Sequence, residues 1–413
     1  MKKILAVVLC LLMVLAFVAC DQKTNAGNEK TEGGAFKVGV VLVGDENEGY
    51  TYAHILGVQK AIKALGLTEA DSVIWKYNVP EDESCYDACI DCVDQGCKLV
   101  ITNSYGHQSH TQRAAEAHPE VEFVAMTGDT ARAANLKNFH NAFTRIYQAR
   151  YVGGIVAGMK LKQLIDEGKV QDKNKDADGN YKIGYVGAFP YAEVISGYSA
   201  FFLGIRSIVP EIHMDVQFTN SWFDPVAEAE CATALIERGC IIIGQHADST
   251  GAPAVCEEYL TKKDTVVYSV GYNIDMLSVA PHAALTSPTN EWDVYYTYAI
   301  GAVKEGKEFD TNRAEGFEVN AVAVTALGPE VAPGTQEAVD KAIADIKAGT
   351  LHVFDTKTFT VGGQELTHAF ATDTDGDWTP DADEAVFDGY YHESYFQSAP
   401  AFALEIDGIT KLN

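Results

Sequence analysis

The chain has 413 residues, of which 47% are hydrophobic and 22% are charged, a composition typical of a folded globular protein with two or three domains. It carries 31 Lys and Arg against 58 Asp and Glu, a formal net charge of -27 at pH 7. Such a surface repels phosphate backbones and anionic lipids, so it argues against nucleic-acid binding and against membrane binding through a basic patch. A nucleotide would need a local basic cluster, and none is evident in the sequence.

The first 19 residues are typical of a signal peptide. Lys2 and Lys3 precede an apolar stretch over 4–18, which is too short to span a bilayer comfortably. The stretch ends in Phe17-Val18-Ala19-Cys20, which resembles a bacterial lipobox although Phe17 stands where Leu is usual. We therefore predict that Cys20 is lipidated, that 20–35 is a flexible tether, and that the protein is anchored on the extracytoplasmic face of the cell membrane. The alternative is a plain secretory signal with an incidental Cys.

The number of cysteines argues against a complete disulfide framework. Without Cys10 of the signal and the lipid-bearing Cys20, seven of the nine remain, and the odd number excludes a fully paired set. Cys85, Cys89 and Cys92 recur at helical spacing. The last two have the spacing of zinc ligands, but no second pair completes a ligand set. We therefore predict a helix face in the core and no metal.

Strands and helices alternate over two stretches, about 36–145 and 181–275. The predicted strands are 36–43, 72–77, 98–102, 121–126, 182–186, 214–218, 240–243 and 265–270, and the predicted helices are 50–65, 82–94, 108–117, 191–208, 225–238 and 252–260. A helix over 147–164 joins the two stretches, and 169–180 is a polar insertion. Short apolar strands between helices indicate parallel sheets covered on both faces. Two such halves usually place a ligand between them, at the carboxyl ends of the strands.

Candidate ligand-binding residues lie in the loops after the predicted strands. The first loop has neither a dinucleotide-binding fingerprint nor a P-loop. The loops instead combine aromatic residues with amides, hydroxyls and carboxylates, which suits a planar, neutral, hydrogen-bonding ligand. The candidates are Tyr50, Tyr52, Asn103, Ser104, Tyr105, Trp222, Phe223, Gln245, Asp248 and Asp275.

Several other residues have simpler interpretations. Asp224 precedes Pro225 and is predicted to cap a helix rather than to contact ligand. The histidines 54, 107 and 246 lack metal-ligand spacing and are expected to face solvent or make hydrogen bonds. Tyr147 and Tyr151 lie on an apolar helix face and are expected in the core. The Asp-rich loops 172–179 and 373–381 imitate calcium loops incompletely, and we interpret them as turns.

In this order the motifs resemble those of the basic membrane protein (Bmp) family, the substrate-binding lipoproteins of ABC transporters that include purine nucleoside receptors. The segments that carry the resemblance are 38–41, 150–158, 182–187, 271–275 and 346–352, and 220–225 and 245–250 are similar to a branch associated with purine bases. The resemblance covers nearly all of 36–355 and implies a type I periplasmic-binding-protein fold, with two doubly wound parallel-sheet lobes joined by a hinge. The N-terminal lobe is expected to comprise 36–145 plus about 277–315, and the C-terminal lobe 150–272 plus about 318–413.

The resemblance also implies roles for individual residues. Tyr50 and Trp222 stand where the family has Phe residues that stack on the ligand base, and Asp248 is expected to read the base. Family residues that contact ligand are replaced here by Asn47, Thr51, Thr127, Asn273 and Asn290, whereas Asp275 is retained. Trp292, beside the last replaced position, is the eleventh candidate for ligand binding. These replacements favour a free purine or another heterocycle over a nucleoside.

The resulting hypothesis is an extracytoplasmic substrate-binding lipoprotein of an ABC importer. Its partners would be a purine base or nucleoside and a membrane permease, with no nucleic acid, no cofactor and no catalytic group. The sequence contains neither a Gly-x-Ser-x-Gly elbow nor a His-Glu-x-x-His motif. One alternative is an extracellular nucleoside-processing enzyme that uses Asp45, Glu46, Glu48 and Asp248. Another is a signalling lipoprotein with no transport partner.

Overall fold

A computed structural model describes residues 36–374, 377, 379 and 381–413. The predicted signal peptide, the predicted lipidation site Cys20 and the tether lie outside the described residues, as do four positions of the second Asp-rich loop. The segment Phe36–Asn413 forms one compact unit.

The first part of this unit alternates strands and helices as predicted. Strands β1 to β5 and helices α1 to α5 occur in the order β1 Val38–Val41, α1 Gly49–Ala64, α2 Glu69–Ser72, β2 Val73–Lys76, α3 Glu83–Asp94, β3 Leu99–Thr102, α4 Gln108–Ala117, β4 Glu122–Met126, α5 Ala131–Ala134 and β5 Phe139–Thr144. Strand β5 is not predicted from the sequence, because His140 and Asn141 interrupt its apolar run. Both are buried, and the Asn141 amide donates to the Ala125 carbonyl at 3.1 Å.

A second alternating series follows a long helix. The elements are α6 Ile146–Asp166, β6 Tyr181–Gly187, α7 Ala192–Arg206, β7 Ile212–Phe218, α8 Pro225–Glu237, β8 Ile242–Gln245, α9 Gly251–Lys262 and β9 Tyr268–Val270. Helix α8 begins as predicted, because the Asp224 carboxylate accepts the backbone N–H groups of Val226 and Ala227, both at 3.0 Å.

No regular element is predicted from the sequence beyond residue 270, but the structure has several there. They are β10 Ala284–Thr286, β11 Pro288–Asn290, α10 Trp292–Lys304, β12 Asn312–Glu315, β13 Val322–Val324, α11 Thr335–Lys347, β14 Thr360–Val361, β15 Gln364–Glu365, β16 Val386–Phe387, β17 Tyr390–Tyr391 and β18 Ile409–Lys411. These elements complete the sheets of both halves.

Two six-stranded sheets define two lobes. Their strand orders are β12-β5-β4-β3-β1-β2 and β10-β9-β8-β6-β7-β18, and every adjacent pair is parallel. Both orders are doubly wound, as predicted. Strand β12 pairs in the first sheet and β10 in the second, and both lie in the segment 277–315 that we expect in the N-terminal lobe. The lobe boundaries in sequence stay a prediction.

The cysteine face is buried, and so are the three histidines considered above, His54, His107 and His246. Cys85, Cys89 and Cys92 belong to the apolar core of the first lobe, and no three His, Cys, Asp or Glu among the described residues are grouped to hold a metal. His54 and His107 are also buried and hydrogen-bonded, to the Tyr296 hydroxyl and to the Val79 carbonyl. In the same described ranges, none of the helices combines the length and the apolarity that a membrane crossing requires.

Two glycines allow helices α6 and α7 to pack backbone against backbone. A Cβ atom added at Gly154 would lie 2.2 Å from the carbonyl oxygen of Phe201, and one added at Gly204 would lie 2.1 Å from that of Tyr151. Both distances are far below van der Waals contact, and the obstructing atoms are backbone. These glycines therefore set the distance between the helix that leads into the second lobe and the first helix of that lobe.

We expect Gly204→Ala to lower the free energy of unfolding by about 1–3 kcal/mol, because the added methyl forces the two helices apart. Urea unfolding measures the difference. Gly301→Ala on α10 is the control, since its added Cβ comes no closer than 3.4 Å to another atom. That substitution should be neutral or stabilising by up to ~1 kcal/mol. Equal stability of the Gly204 variant and the parent protein would contradict the proposed close approach.

Candidate functional site

A cavity of about 530 Å³ lies where the strands of the two sheets end. This volume is within the range of small-molecule sites. The lining residues follow β1, β2, β3 and β4 of the first sheet and β6, β7, β8 and β9 of the second. They are Val43, Gly44, Asp45, Asn47, Glu48, Tyr50, Asn78, Glu81, Ser104, Tyr105, Thr127, Phe189, Glu193, Asn220, Ser221, Trp222, Phe223, His246, Asp248 and Tyr272.

The second lobe supplies a cluster of aromatic rings. Phe189 stacks on Tyr191 with ring centroids 5.2 Å apart, and its ring meets Trp222 edge to face at 5.1 Å. Trp222 is half-buried, and its carbonyl accepts the backbone N–H of Asp248 at 2.8 Å, which links two neighbouring loops. Asn220 adopts a positive φ of 56° that turns the chain toward Trp222. The cluster therefore presents an aromatic wall that is already assembled.

The first lobe supplies Tyr50 at the start of α1. Its hydroxyl donates to the carbonyl of Asn103, and its ring packs edge-on against His54 at a centroid distance of 4.5 Å. Burial raises the pKa of Tyr50 well above its usual range. Asn103 itself is buried, and its side chain accepts the Val43 N–H at 2.8 Å. Tyr50 therefore lines the cavity, whereas Asn103 lies outside the lining and holds the first loop in place.

Asp248 is a buried carboxyl in the wall of the second lobe. Its Oδ1 accepts the Asn273 amide at 2.8 Å. Burial raises its pKa well above the usual range, and the nearby carboxyl groups of Glu48, Glu228 and Glu193 act in the same direction. Gln245 does not line the cavity. Its amide donates to the carbonyls of Ala247 and Ser249 at 2.7 and 2.9 Å and shapes the loop that carries Asp248.

His246 and Glu193 line the same cavity, and Arg150 lies behind them. Nε2 of His246 lies 3.2 Å from Oε1 of Glu193. Burial lowers the pKa of His246 well below its usual range and raises the pKa of Glu193 to about 7. Arg150 of α6 is 2% exposed, donates to Tyr185 and to the Gln245 carbonyl, both at 2.7 Å, and places its guanidinium 3.8 Å over the Tyr272 ring. None of the lining residues in the described chain is Lys or Arg, so the wall itself is acidic.

The structure brings together six of the eleven residues named as candidates. These six are Tyr50, Ser104, Tyr105, Trp222, Phe223 and Asp248. Asn103 and Gln245 lie behind the wall. Tyr52, Asp275 and Trp292 line a separate cavity of about 230 Å³. Trp292 is 1% exposed and stacks on His54 at 4.4 Å, so it is a core residue of the first lobe.

The candidates named from the sequence omit several lining residues. They include the carboxyl of Glu48, which the sequence analysis names only for the enzymatic alternative, the carboxyl of Glu193, the imidazole of His246, and the rings of Phe189 and Tyr272. Each lies within seven residues of the carboxyl end of a strand, and this closeness to a strand end is the feature by which the sequence could have identified them. The sequence alone does not say which side chain of each loop turns inward.

Comparison with known proteins agrees with this architecture. The family model Bmp, described as ABC transporter substrate-binding protein PnrA-like, matches residues 35–348. A purine-binding protein of Brucella abortus is 30% identical over 343 residues, which are 83% of this chain and 89% of that protein. A candidate glucose-binding protein of an ABC transporter in Haloferax volcanii is 28% identical over 78% of this chain and 74% of that protein.

Solved structures show the fold. A solute-binding protein of an ABC transporter system from Aeropyrum pernix superposes with a TM-score of 0.62 at 14% identity, over 80% of this chain and 94% of that one. Another from Conexibacter woesei gives 0.59 at 18% identity, over 77% and 98%. The predicted type I periplasmic-binding-protein fold is thereby confirmed. Together with the match over 35–348, the observations show that this chain belongs to the Bmp family of PnrA-like ABC transporter substrate-binding proteins.

Proposed function

We propose that this protein binds a purine base or a purine nucleoside in the cleft between its lobes and delivers it to an ABC permease. Substrate-binding proteins of ABC transporters are extracytoplasmic and bind small molecules. The observation that carries the purine proposal is the placement of Tyr50 and Trp222, one from each lobe, on one cavity with the Asp248 carboxyl. The name of the Brucella relative supports the same ligand class.

The chemistry of the lining supports a neutral or N–H-rich ligand. Aromatic faces stack on planar rings, and carboxyl groups accept hydrogen bonds from ring N–H and amino groups. A phosphate group would meet Asp45, Glu48, Glu81 and Glu193 with no Lys or Arg among the lining residues that the structure describes. We therefore expect a nucleotide to be rejected although it contains the same base.

Calorimetric titration with adenine, adenosine, AMP and glucose tests the proposal. Saturable binding of adenine or adenosine, with none of AMP or glucose, is the expected result. Binding of glucose without binding of either purine compound would contradict the proposal. Incubation with adenosine, followed by detection of free adenine, covers the enzymatic alternative. Release of the base would support a nucleoside-processing enzyme instead.

We further propose that Cys20 carries the lipid that holds the protein to the membrane, on the basis of the sequence around it. Cys20→Ser expressed with its own signal is expected to move the protein from the membrane fraction into the medium or periplasm, because a single lipid-bearing residue is lost. Fractionation and immunoblotting measure the distribution. Cys10→Ser, within the apolar part of the signal, is the control and should stay with the membrane. A Cys20 variant that stays membrane-bound to the same extent would exclude lipid attachment at this residue.

A further inference from the structure

Two buried carboxyl groups from opposite lobes line the cavity. Glu48 directly precedes α1 of the first lobe, and Asp248 lies between β8 and α9 of the second. They are 9% and 5% exposed. The two segments are close, because a Cβ added at Gly49 would lie 3.2 Å from the carbonyl oxygen of Asp248. The start of α1 therefore meets the Asp248 loop across the gap between the lobes.

Each carboxyl group is held in place by a hydrogen-bond donor of its own lobe. Oε2 of Glu48 accepts the hydroxyl of Thr51, and Oδ1 of Asp248 accepts the amide of Asn273 at 2.8 Å. A carboxylate offers about four lone-pair sites, so both groups can also accept hydrogen bonds from a ligand in the cavity that they line.

The charges around the pair are mostly of the same sign. Asp45 adjoins Glu48 on the first loop, while Glu193 of α7 and Glu228 of α8 face Asp248. Arg150 of α6 acts on Asp248 in the opposite direction, and burial lowers the pKa of the neighbouring His246. Burial raises the pKa of both Glu48 and Asp248. An N–H donor or a positive charge placed between them would stabilise the ionised carboxyl groups and so offset the free-energy cost of burying their charge.

We propose that Glu48 and Asp248 form a paired hydrogen-bond acceptor, one half on each lobe, that selects purines bearing amino groups. An exocyclic amino group has two N–H donors, so it can bridge the two carboxyl groups and connect the lobes. The inference rests on the proposed purine-binding function. It adds that the protein recognises the exocyclic amino groups of the purine. Glu48 stands outside the ligand-contacting positions that the family resemblance implies.

Titration with purine, adenine and 2,6-diaminopurine tests the pair, because these ligands share a ring system and carry no, one and two amino groups. For the parent protein, affinity should rise along the series by about tenfold per amino group that reaches a carboxylate. Glu48→Gln and Asp248→Asn should flatten this rise, since an amide oxygen accepts a weaker bond than a carboxylate. Binding of unsubstituted purine should change little, which also shows that each variant is folded. Asp87→Asn, an exposed change on α3, is the control and should keep the full rise.

Proton release on ligand binding distinguishes direct contact with the ligand from a purely structural role, which would leave the number of released protons unchanged. Donors from the ligand favour the ionised carboxyl groups, so binding lowers their pKa and protons leave the protein. Titrations at pH 7 in buffers of different ionisation enthalpy should detect release with 2,6-diaminopurine, and less of it in Glu48→Gln. Equal affinity of the parent protein for all three ligands would overturn the inference and leave the proposed function intact. Failure of all three to bind would overturn both.

Discussion

Replacement of Trp222 by alanine is expected to weaken purine binding about 5- to 150-fold, because one aromatic face contributes roughly 1–3 kcal/mol to stacking on a ring. Trp222 is half-buried against Phe189 and lines the cavity from the second lobe, opposite Tyr50 of the first. Loss of its ring removes one of the two proposed stacking surfaces. The ligand-free protein should unfold at nearly the same temperature, since part of the ring is solvated in the empty cavity.

Calorimetric titration and thermal unfolding of the same preparation separate binding from stability. Phe402→Ala is the reference for a true core aromatic, because Phe402 is 0% exposed and stacks on Phe354 at 4.1 Å. That variant should lose about 3–5 kcal/mol of stability. If Trp222→Ala bound purine normally and lost as much stability as the Phe402 variant, Trp222 would be a core residue and the stacking proposal would fail.

Replacement of Arg150 by methionine is expected to lower the free energy of unfolding by about 3 kcal/mol at pH 8. The guanidinium is buried, its two hydrogen bonds reach Tyr185 and the Gln245 carbonyl, and its charge opposes the raised pKa values of Glu193 and Asp248. Methionine fills much of the volume but leaves these acceptors and carboxyl groups without the cation. Urea unfolding measures the loss, and Lys162→Met, an exposed cation of the same helix, should change stability by less than about 0.5 kcal/mol.

The loss should depend on pH in a definite direction. The pKa of Glu193 in the folded protein is about 7, above the ordinary value of 4.5, so its protonated form is favoured on folding. Its contribution is therefore complete below about pH 4.5 and is lost as the pH rises through 7. Without Arg150 the folded-state pKa rises further, and the ionised form costs more. The difference between the Arg150 variant and the parent should accordingly be smaller at pH 5 than at pH 8. An equal loss at both pH values would show that Arg150 acts through packing and its two hydrogen bonds, without a contribution from the charge of Glu193.

Local patterns in the sequence predict most of the scaffold. Continuous apolar runs such as β1 and β3 are buried on both faces, and helices such as α4 and α8 follow from periodicity and from the Asp224 cap. Because parallel strands place their carboxyl ends at one edge of a sheet, the sequence also predicts which loops form the site. Tyr50, Trp222 and Asp248 could be named on this basis and on the family resemblance.

Side-chain direction and distant pairing were decided only by the tertiary structure. Trp292 follows strand β11 and looks like a loop residue, yet α10 packs on α1 and buries the indole against His54. Strand β5 forms because neighbouring backbone and side-chain groups satisfy His140 and Asn141, and no local signal shows such partners. Glu48 and Asp248 are separated by two hundred residues and share one cavity because the two sheets present their strand ends to each other. The spacing of residues in the sequence predicts which side chains share one face of a helix or strand. Contacts between the lobes depend instead on how the whole chain folds.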